Sequence, residues 1–77
     1  MPKIVRLANV AIYMYADDHA PPHFHMLGPE SDALVELESL RVVRGRFRRR
    51  DLAEVRAWAS EHADLLQRRW AELNERD

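Results

Sequence analysis

The chain has 77 residues, no cysteine and a formal net charge of −1. A chain this short forms one domain with one small core, and the lack of cysteine excludes disulfide bonds and thiolate zinc sites. We therefore expect a single domain over residues 1–77, and the sequence leaves open a metal held by histidines or homo-oligomerisation as a source of added stability. No segment is long and apolar enough to be a signal peptide or to span a bilayer, so we expect a cytoplasmic protein without membrane contact.

The small net charge conceals a segregated pattern. Residues 41–50 hold six arginines and no acid, whereas residues 1–40 and residues 51–77 are both net acidic. A basic band between two acidic segments is typical of a surface that binds phosphate or an acidic partner. The same arginines are also able to pair with the protein's own acids, and the sequence leaves both interpretations open.

Apolar patterning predicts four strands before the helical part of the chain. The predicted strands are Ala8–Ala16, His23–Leu27, Ala33–Glu38 and Val42–Phe47. Pro21 and Pro22 precede the second strand and cannot donate to a ladder, so they predict a loop there. Either isomer of their peptide bonds is compatible with the sequence.

Alternation in the last two predicted strands suggests how they pair. If Ser39–Arg41 is the hairpin loop, Leu37 lies opposite Val43 and Glu36 lies opposite Arg44. This register puts apolar side chains on one face and complementary charges on the other. The arginines of the fourth strand are then neutralised within the sheet. The cations left for phosphate or for a partner are Arg48, Arg49 and Arg50.

The hydrophobic period becomes helical from about Arg49 or Asp51 to Leu73. Asp51, with Glu54 three residues later, resembles a capping box. The apolar stripe consists of Leu52, Val55, Trp58, Ala59, Leu65, Leu66, Trp70 and Leu73. His62 falls near the middle of this stripe, so the helix should lie on the sheet and direct His62 inward. We predict an α+β domain in which a short antiparallel sheet of about four strands is covered by one long C-terminal helix.

Three of the four histidines, His19, His23 and His25, lie within seven residues. His23 and His25 are two apart on a predicted strand, so both project from one face and Phe24 projects from the other. This spacing suits zinc or another divalent metal, but a site needs three or four ligands. The candidates for the remaining ligands are His62, His19, Asp17 and Asp18.

The orientation of the second strand decides which histidines meet. If its histidine face packs on the helix, His23, His25 and His62 converge on one metal or catalytic site. If Phe24 faces the helix instead, the histidine pair is exposed and His62 stands alone. The sequence leaves both arrangements open.

Each histidine also has a structural interpretation. A single histidine on an apolar helix face more often bonds a backbone carbonyl in the core, and this interpretation is favoured for His62. His19, after two aspartates, is equally well a turn residue. For His23 and His25 a functional role is favoured, because an apolar strand has no packing need for two imidazoles.

Residues 17–25 read D-D-H-A-P-P-H-F-H and resemble a family of short bacterial proteins catalogued as domain of unknown function 4160. The resemblance covers nearly the whole chain, from the opening Met1-Pro2-Lys3-Ile4 through Gly45 to a helix patterned W-x-x-x-H-x-x-x-L. In that helix the matching residues are Trp58, His62 and Leu66, followed by Trp70. The histidines that match the family pattern are His19, His23, His25 and His62. The sequence departs from the family at Arg48, where a proline often precedes the basic pair that opens the helix.

The resemblance implies a gene pair similar to a toxin–antitoxin module, with a small protein encoded by the neighbouring gene as the partner. One hypothesis is an enzyme acting on RNA or another phosphate ester. In it the four histidines form the catalytic set, a pair of them serves as acid and base, and Arg48, Arg49 or Arg50 holds phosphate. A bound metal can replace one of those roles by activating water. The other hypothesis is a non-enzymatic module that binds an acidic partner, with the histidines as a structural cluster. A DNA-binding regulator is disfavoured, because one long helix offers no helix-turn-helix.

Overall fold

The computed structural model describes residues 3–16 and 18–74. Its strands are β1 (Lys3–Arg6), β2 (Ala11–Tyr13), β3 (His23–Gly28), β4 (Ser31–Glu36) and β5 (Val42–Arg46), and its helices are α1 (Arg49–Glu61) and α2 (Ala63–Asn74). The strands form one antiparallel sheet in the order β1-β2-β3-β4-β5. The predicted α+β class is confirmed, but the sheet has five strands and the helical part is two helices. Neither helix is long and apolar enough to cross a membrane.

The first predicted strand, over residues 8–16, is a strand only at its centre. The N–H of Leu7 donates to the carbonyl of Val10 at 2.7 Å, so the chain reverses direction there. Asn9, a residue type common in turns, lies in this reversal. The reversal pairs β1 with β2 and thereby adds the strand that the sequence pattern did not reveal.

One face of the sheet and the two helices form the core. The core residues from the sheet side are Val10, Ile12, Met14, Phe24, Met26, Ala33, Val35 and Leu37, and those from the helices are Leu52, Val55, Ala59, Leu66 and Trp70. Phe24 is fully buried in this cluster, and such burial contributes about 1.5–3 kcal/mol. Of the two orientations left open by the sequence, the structure therefore has Phe24 facing the helices.

A bulge in β5 changes the predicted register of the last hairpin. Leu34 pairs with Arg44, but Val35 pairs with Val42, so Val43 is an extra residue between them. Val42 packs against the core, whereas Val43 is 59% exposed. The predicted pairing of Val43 with Leu37 is wrong, because the extra residue lets Val42 face the core in place of Val43.

The predicted pairing of Glu36 with Arg44 is also wrong. Glu36 lies opposite His23 of β3 and accepts a hydrogen bond from Ser39. Arg44 lies opposite Leu34 instead, and its side chain is exposed. This arginine is therefore not neutralised by the acid that the sequence pattern assigned to it.

The predicted long helix is interrupted at His62. The Nδ1 of His62 donates to the carbonyl of Trp58 at 2.8 Å, the acceptor that the backbone N–H of His62 would use in a continuous helix. That N–H bonds the carbonyl of Ala59 instead, at 3.2 Å, and His62 adopts φ −126° and ψ 32°. The imidazole also stacks on the Trp58 ring, with centroids 4.1 Å apart. The His62 side chain thus binds the Trp58 carbonyl that a backbone N–H would use in a continuous helix, and α1 ends at this point.

The predicted capping box is not formed at the start of α1. Arg48 is the N-cap residue, with extended backbone and no side-chain cap bond. Asp51 is buried in the first turn and accepts a hydrogen bond from Ser31 Oγ at 2.7 Å. Glu54 accepts from the backbone N–H of Ala8 at 3.1 Å. Both acids therefore tie α1 to the strand side of the fold rather than capping the helix.

Candidate functional site

Asp18, His23 and His25 form a cluster where the β2–β3 connection meets the start of β3. Asp18 Oδ2 lies 2.9 Å from His23 Nε2 and 3.4 Å from His25 Nε2. One ligand atom from each side chain lies within 4.8 Å of the others, and no second group of this kind occurs in residues 3–16 and 18–74. The strand spacing accordingly brings the two histidines together, and the preceding loop adds a carboxylate.

His23 is held from two sides. Its Nδ1 donates to the carbonyl of Pro21 at 2.8 Å, and its ring lies 5.1 Å from the ring of Trp70 in α2. The His23 side chain is only 7% exposed, whereas that of His25 is 24% exposed. The peptide bond between Ala20 and Pro21, whose isomer the sequence left open, is cis. Of the two histidines, His25 is the one that a ligand in solvent can reach.

The last residue of α2 holds the loop that carries Asp18. Asn74 Oδ1 accepts a hydrogen bond from the backbone N–H of Asp18 at 2.7 Å, and Asn74 Nδ2 donates to the carbonyl of Tyr15 at 3.1 Å. The sequence suggested that the helix contributes one side of the site, but it pointed to His62 for this role. Asn74 was missed because an amide near the end of a helix carries no recognisable ligand or acid–base pattern.

The cluster keeps Asp18 charged. Partial burial raises the pKa of Asp18, but hydrogen bonds from His25 and His23, the attraction of His23 and the N–H of His19 outweigh the burial, so this pKa lies below its ordinary value. The Pro21 carbonyl and the Asp18 carboxylate can both only accept, so His23 has an acceptor beside each ring nitrogen. Each nitrogen of the His23 ring therefore needs a proton or a cation between it and its acceptor.

The structure does not bring His62 or His19 into the cluster. His62 is engaged with Trp58 at the end of α1. His19 is exposed, and its backbone N–H donates to Asp18 Oδ1 at 3.2 Å. Of the two arrangements that the sequence left open, the structure has the one in which His62 stands apart from the histidine pair, and Asp18 is the third member of the cluster. Asp17, another predicted ligand, lies outside the described residues.

The three arginines predicted to hold phosphate have different environments. Arg48 donates from Nε and Nη2 to the carboxylate of Asp51, both at 3.2 Å, so it is not a free cation and that part of the prediction is corrected. Arg49 and Arg50 are exposed in the first turn of α1. None of the three lines the groove beside His25.

That groove lies on the sheet face opposite the core and has a volume of about 550 Å³. His25 pairs with Leu34, and Leu34 pairs with Arg44, so their side chains form a row across three strands. The groove is lined by His25, Asp32, Ala33, Leu34, Arg44, Gly45 and Arg46. Gly45 has φ +104°, and a Cβ there would collide with the Asp32 carbonyl. His25 therefore belongs both to the cluster and to a groove that contains two exposed arginines.

Aromatic rings lie beside the exposed histidine. The ring of Tyr15 contacts His25 edge-on at 4.8 Å, and Tyr13 stacks on Tyr15 at 6.4 Å. Tyr15 is 36% exposed, so its ring is accessible to a planar ligand. The site thus combines a group that can transfer protons, a charged carboxylate, cations that can bind an oxyanion, and aromatic surface.

A family model described as "Domain of unknown function (DUF4160)" matches residues 9–71. The match spans well over half of the chain and includes Asp18, His23, His25 and the groove arginines. The family resemblance seen in the sequence is therefore confirmed. No curated protein and no solved structure matches the chain.

Proposed function

The chain belongs to the family of domain of unknown function DUF4160, and we propose that it is the component of a toxin–antitoxin-like two-gene module that acts on RNA or another phosphate ester. The observation that carries the proposal is that His25 belongs both to the cluster with Asp18 and to the groove. Its Nε2 faces Asp18, and its ring lines the groove that contains Arg44 and Arg46. A proton-transferring group next to a phosphate-binding cation is the minimum that phosphodiester cleavage requires.

RNA is the favoured substrate because it carries its own nucleophile. The 2′-hydroxyl beside each phosphate can attack the phosphorus once a base removes its proton, so no added nucleophile is needed. The bond from phosphorus to the 5′-oxygen breaks, this oxygen leaves with a proton from solvent, and the phosphate becomes a 2′,3′-cyclic ester. His25, as the more exposed histidine, is assigned this proton transfer. His23 is buried and acts through Asp18, which it holds in place at 2.9 Å.

The groove supports binding of a nucleotide chain. Arg46 lies opposite Asp32, so part of its charge is balanced, whereas Arg44 lies opposite the apolar Leu34. Arg44 is therefore assigned to the phosphate whose charge rises during cleavage. Tyr15 is assigned to base stacking, which contributes about 1–3 kcal/mol per base in single-stranded complexes.

Cleavage of a labelled single-stranded RNA oligonucleotide tests the proposal. His25→Ala should lower the rate by about 100-fold or more, the usual contribution of a general acid or base. The matched control is His19→Ala, which removes an exposed histidine of the same motif outside the cluster. Equal rates for the wild type and His25→Ala, each purified in the same way, would attribute the cleavage to a contaminating nuclease and refute the proposal.

The phosphate assignment is tested with a pair of arginine variants. Arg44→Gln should weaken RNA binding and reduce its salt dependence, because one phosphate contact is lost. Arg50→Gln removes an exposed arginine outside the groove and should leave both quantities unchanged. A larger effect from Arg50→Gln than from Arg44→Gln would contradict the assignment of Arg44 and indicate a phosphate site at the start of α1.

The module assignment is tested in cells. Induced expression of the wild-type chain should arrest growth, and co-expression of the small protein from the neighbouring gene should restore it. The His25→Ala chain should not arrest growth at equal expression. Growth arrest by both chains, or by neither, would contradict the role of a toxin acting through this site.

A second candidate function is a non-enzymatic module that binds an acidic partner. It is favoured by apolar side chains on the surface around β5, since Val43 is 59% and Phe47 is 39% exposed. Phe47 and Arg49 line a second groove, of about 370 Å³. Loss of co-purification with the neighbouring gene product in Arg49→Glu, with RNA cleavage absent from the wild type, would favour this function. Arg48→Glu is unsuitable for the test, because it would place two acids together beside Asp51.

A further inference from the structure

The cluster has the dimensions of a metal site. Atoms that share one zinc ion at about 2.0–2.2 Å lie roughly 3.0–3.5 Å apart, depending on the coordination number. Asp18 Oδ2 is 2.9 Å from His23 Nε2 and 3.4 Å from His25 Nε2. All three ligand atoms lie within 4.8 Å of one another, so small side-chain movements suffice for a common ion.

The surroundings of His23 suit a metal ligand. The Pro21 carbonyl accepts a hydrogen bond from His23 Nδ1 at 2.8 Å, so Nε2 is the nitrogen that faces Asp18. A hydrogen bond from the non-ligating nitrogen of a histidine to a carbonyl is the usual support of a metal-binding imidazole. Between Nε2 and the Asp18 carboxylate there is a place for one positive group, which a proton on Nε2 fills in the metal-free cluster and a metal ion fills when it binds.

The other two ligands are supported as well. Asn74 fixes the backbone N–H of Asp18 at 2.7 Å, which orients the loop that presents the carboxylate. His25 is held by its strand pairing and by the edge of Tyr15 at 4.8 Å. Preorganised ligands of this kind lower the cost of ordering on metal binding.

We propose that Asp18, His23 and His25 bind one divalent first-row transition metal ion through Oδ2, Nε2 and Nε2. The inference does not rest on the proposed RNA cleavage, because metal binding is measured without substrate. A metal on Nε2 of His25 leaves Nδ1 of the same ring for the proton transfer assigned to this residue above. Two imidazoles and one carboxylate form the donor set of catalytic zinc and of iron(II) sites with open positions. Calcium and magnesium do not suit this site, because both ions prefer oxygen ligands and two of the three ligands here are nitrogens.

The site is open on one side. The side chains of Asp18 and His25 are 26% and 24% exposed, whereas His23 is 7% exposed. Three protein ligands with solvent access leave at least one coordination position for water or for a ligand in the adjoining groove. A closed structural site would instead need a fourth side chain, and no other side chain in the described ranges joins this group.

Isothermal titration of the chelator-treated full chain with Zn²⁺ tests this site. The wild type should bind one zinc per chain. Asp18→Asn and His25→Ala should each lower the affinity by about 100-fold or more, beyond the 10–100-fold typical of losing a supporting residue. The matched controls are His19→Ala and His62→Ala, which remove the two histidines outside the cluster and should keep the wild-type affinity.

His23→Ala is not the variant of choice, because His23 packs on Trp70 and its removal can unfold the chain. Circular dichroism of Asp18→Asn and His25→Ala should show the wild-type spectrum, which separates loss of a ligand from loss of the fold. Absence of stoichiometric zinc binding by the wild type overturns the inference, and so does equal loss of affinity in the His19→Ala and His62→Ala controls.

The outcome is separable from that of the proposed function. RNA cleavage that persists in chelator, combined with no zinc binding, would refute the metal site and leave the proposed function standing. Stoichiometric zinc binding that depends on Asp18 and His25, with no cleavage of RNA, would support the metal site and refute the proposed function.

Discussion

Asp18 is fixed at both its backbone and its side chain. Its N–H donates to Asn74 at 2.7 Å, and its carboxylate faces the Nε2 atoms of His23 and His25. The amide of Asn74 also bonds the carbonyl of Tyr15, so one side chain holds the loop at two points. The position of the carboxylate therefore depends on a residue whose hydrogen bonds go to the loop backbone and not to the histidines.

Asn74→Ala should impair the site more than the fold. Zinc affinity should fall by about 10–100-fold, as for other residues that orient a ligand. The unfolding free energy should change by only about 1 kcal/mol, because the hydrogen bonds of Asn74 lie near the surface. Glu72→Ala, at an exposed position of the same helix, is the control. Equal zinc affinity in the two variants would show that Asn74 does not position Asp18.

The two helices are separate elements because His62 occupies a backbone acceptor. Its ring bonds the carbonyl of Trp58, and the backbone N–H of His62 turns to Ala59. The W-x-x-x-H spacing places these two residues one turn apart, where such a bond and ring stacking are geometrically available. The hydrogen bond and ring stacking between Trp58 and His62 give His62 a structural role that is separate from the cluster of Asp18, His23 and His25.

His62→Ala should change the helices and spare the site. Without the imidazole, the N–H of residue 62 can return to the carbonyl of Trp58, so helical circular dichroism should stay equal or rise. The unfolding free energy should fall by about 0.5–1.5 kcal/mol, the usual value of one hydrogen bond. RNA cleavage by this variant should match that of the wild type. A loss of cleavage as large as in His25→Ala would return His62 to the catalytic set.

The described part of the molecule is one sheet with two helices packed on one face and the groove on the other, and the cluster of Asp18, His23 and His25 lies beside the C-terminal part of α2. The two layers are joined at the start of α1 by a polar network. Asp51, 1% exposed, accepts hydrogen bonds from Ser31 of β4 and from both Nε and Nη2 of Arg48. Hydrogen bonds from Arg48 and then from Ser31 hold the pKa of Asp51 below its ordinary value.

This network predicts a component of stability that is lost in acid. Because folding lowers the pKa of Asp51, its contribution is fully present above the unfolded value, about 3.9, and disappears as the pH falls through the lower folded value. Asp51→Asn should therefore be less stable than the wild type at pH 7, and the difference should shrink below about pH 4. Urea unfolding of both chains between pH 7 and pH 2 measures the difference. A gap that widens in acid would contradict the assigned direction.

Much of the fold was predictable from local patterns. The central strands and the apolar stripe of the helical segment follow from periodicity, because burial of one face repeats every two or every 3.6 residues. The family resemblance and the histidine pair of β3 were also visible in the sequence. The first strand, the bulge at Val43 and the break at His62 were not predicted, because each depends on one local hydrogen bond or one extra residue.

The sequence by itself determined that the candidate site residues of the β2–β3 segment lie close together along the chain and that His23 and His25 share a strand face. Only the tertiary structure decided which other residues lie beside these two histidines. Burial of Phe24 left His62 apart from the histidine pair, and the pairing of Arg44 with Leu34 put Arg44 rather than Arg48 beside the groove. The end of α2 brought Asn74 to Asp18. These contacts join residues as many as 56 positions apart, and such long-range contacts are set by packing of the whole chain rather than by any local period.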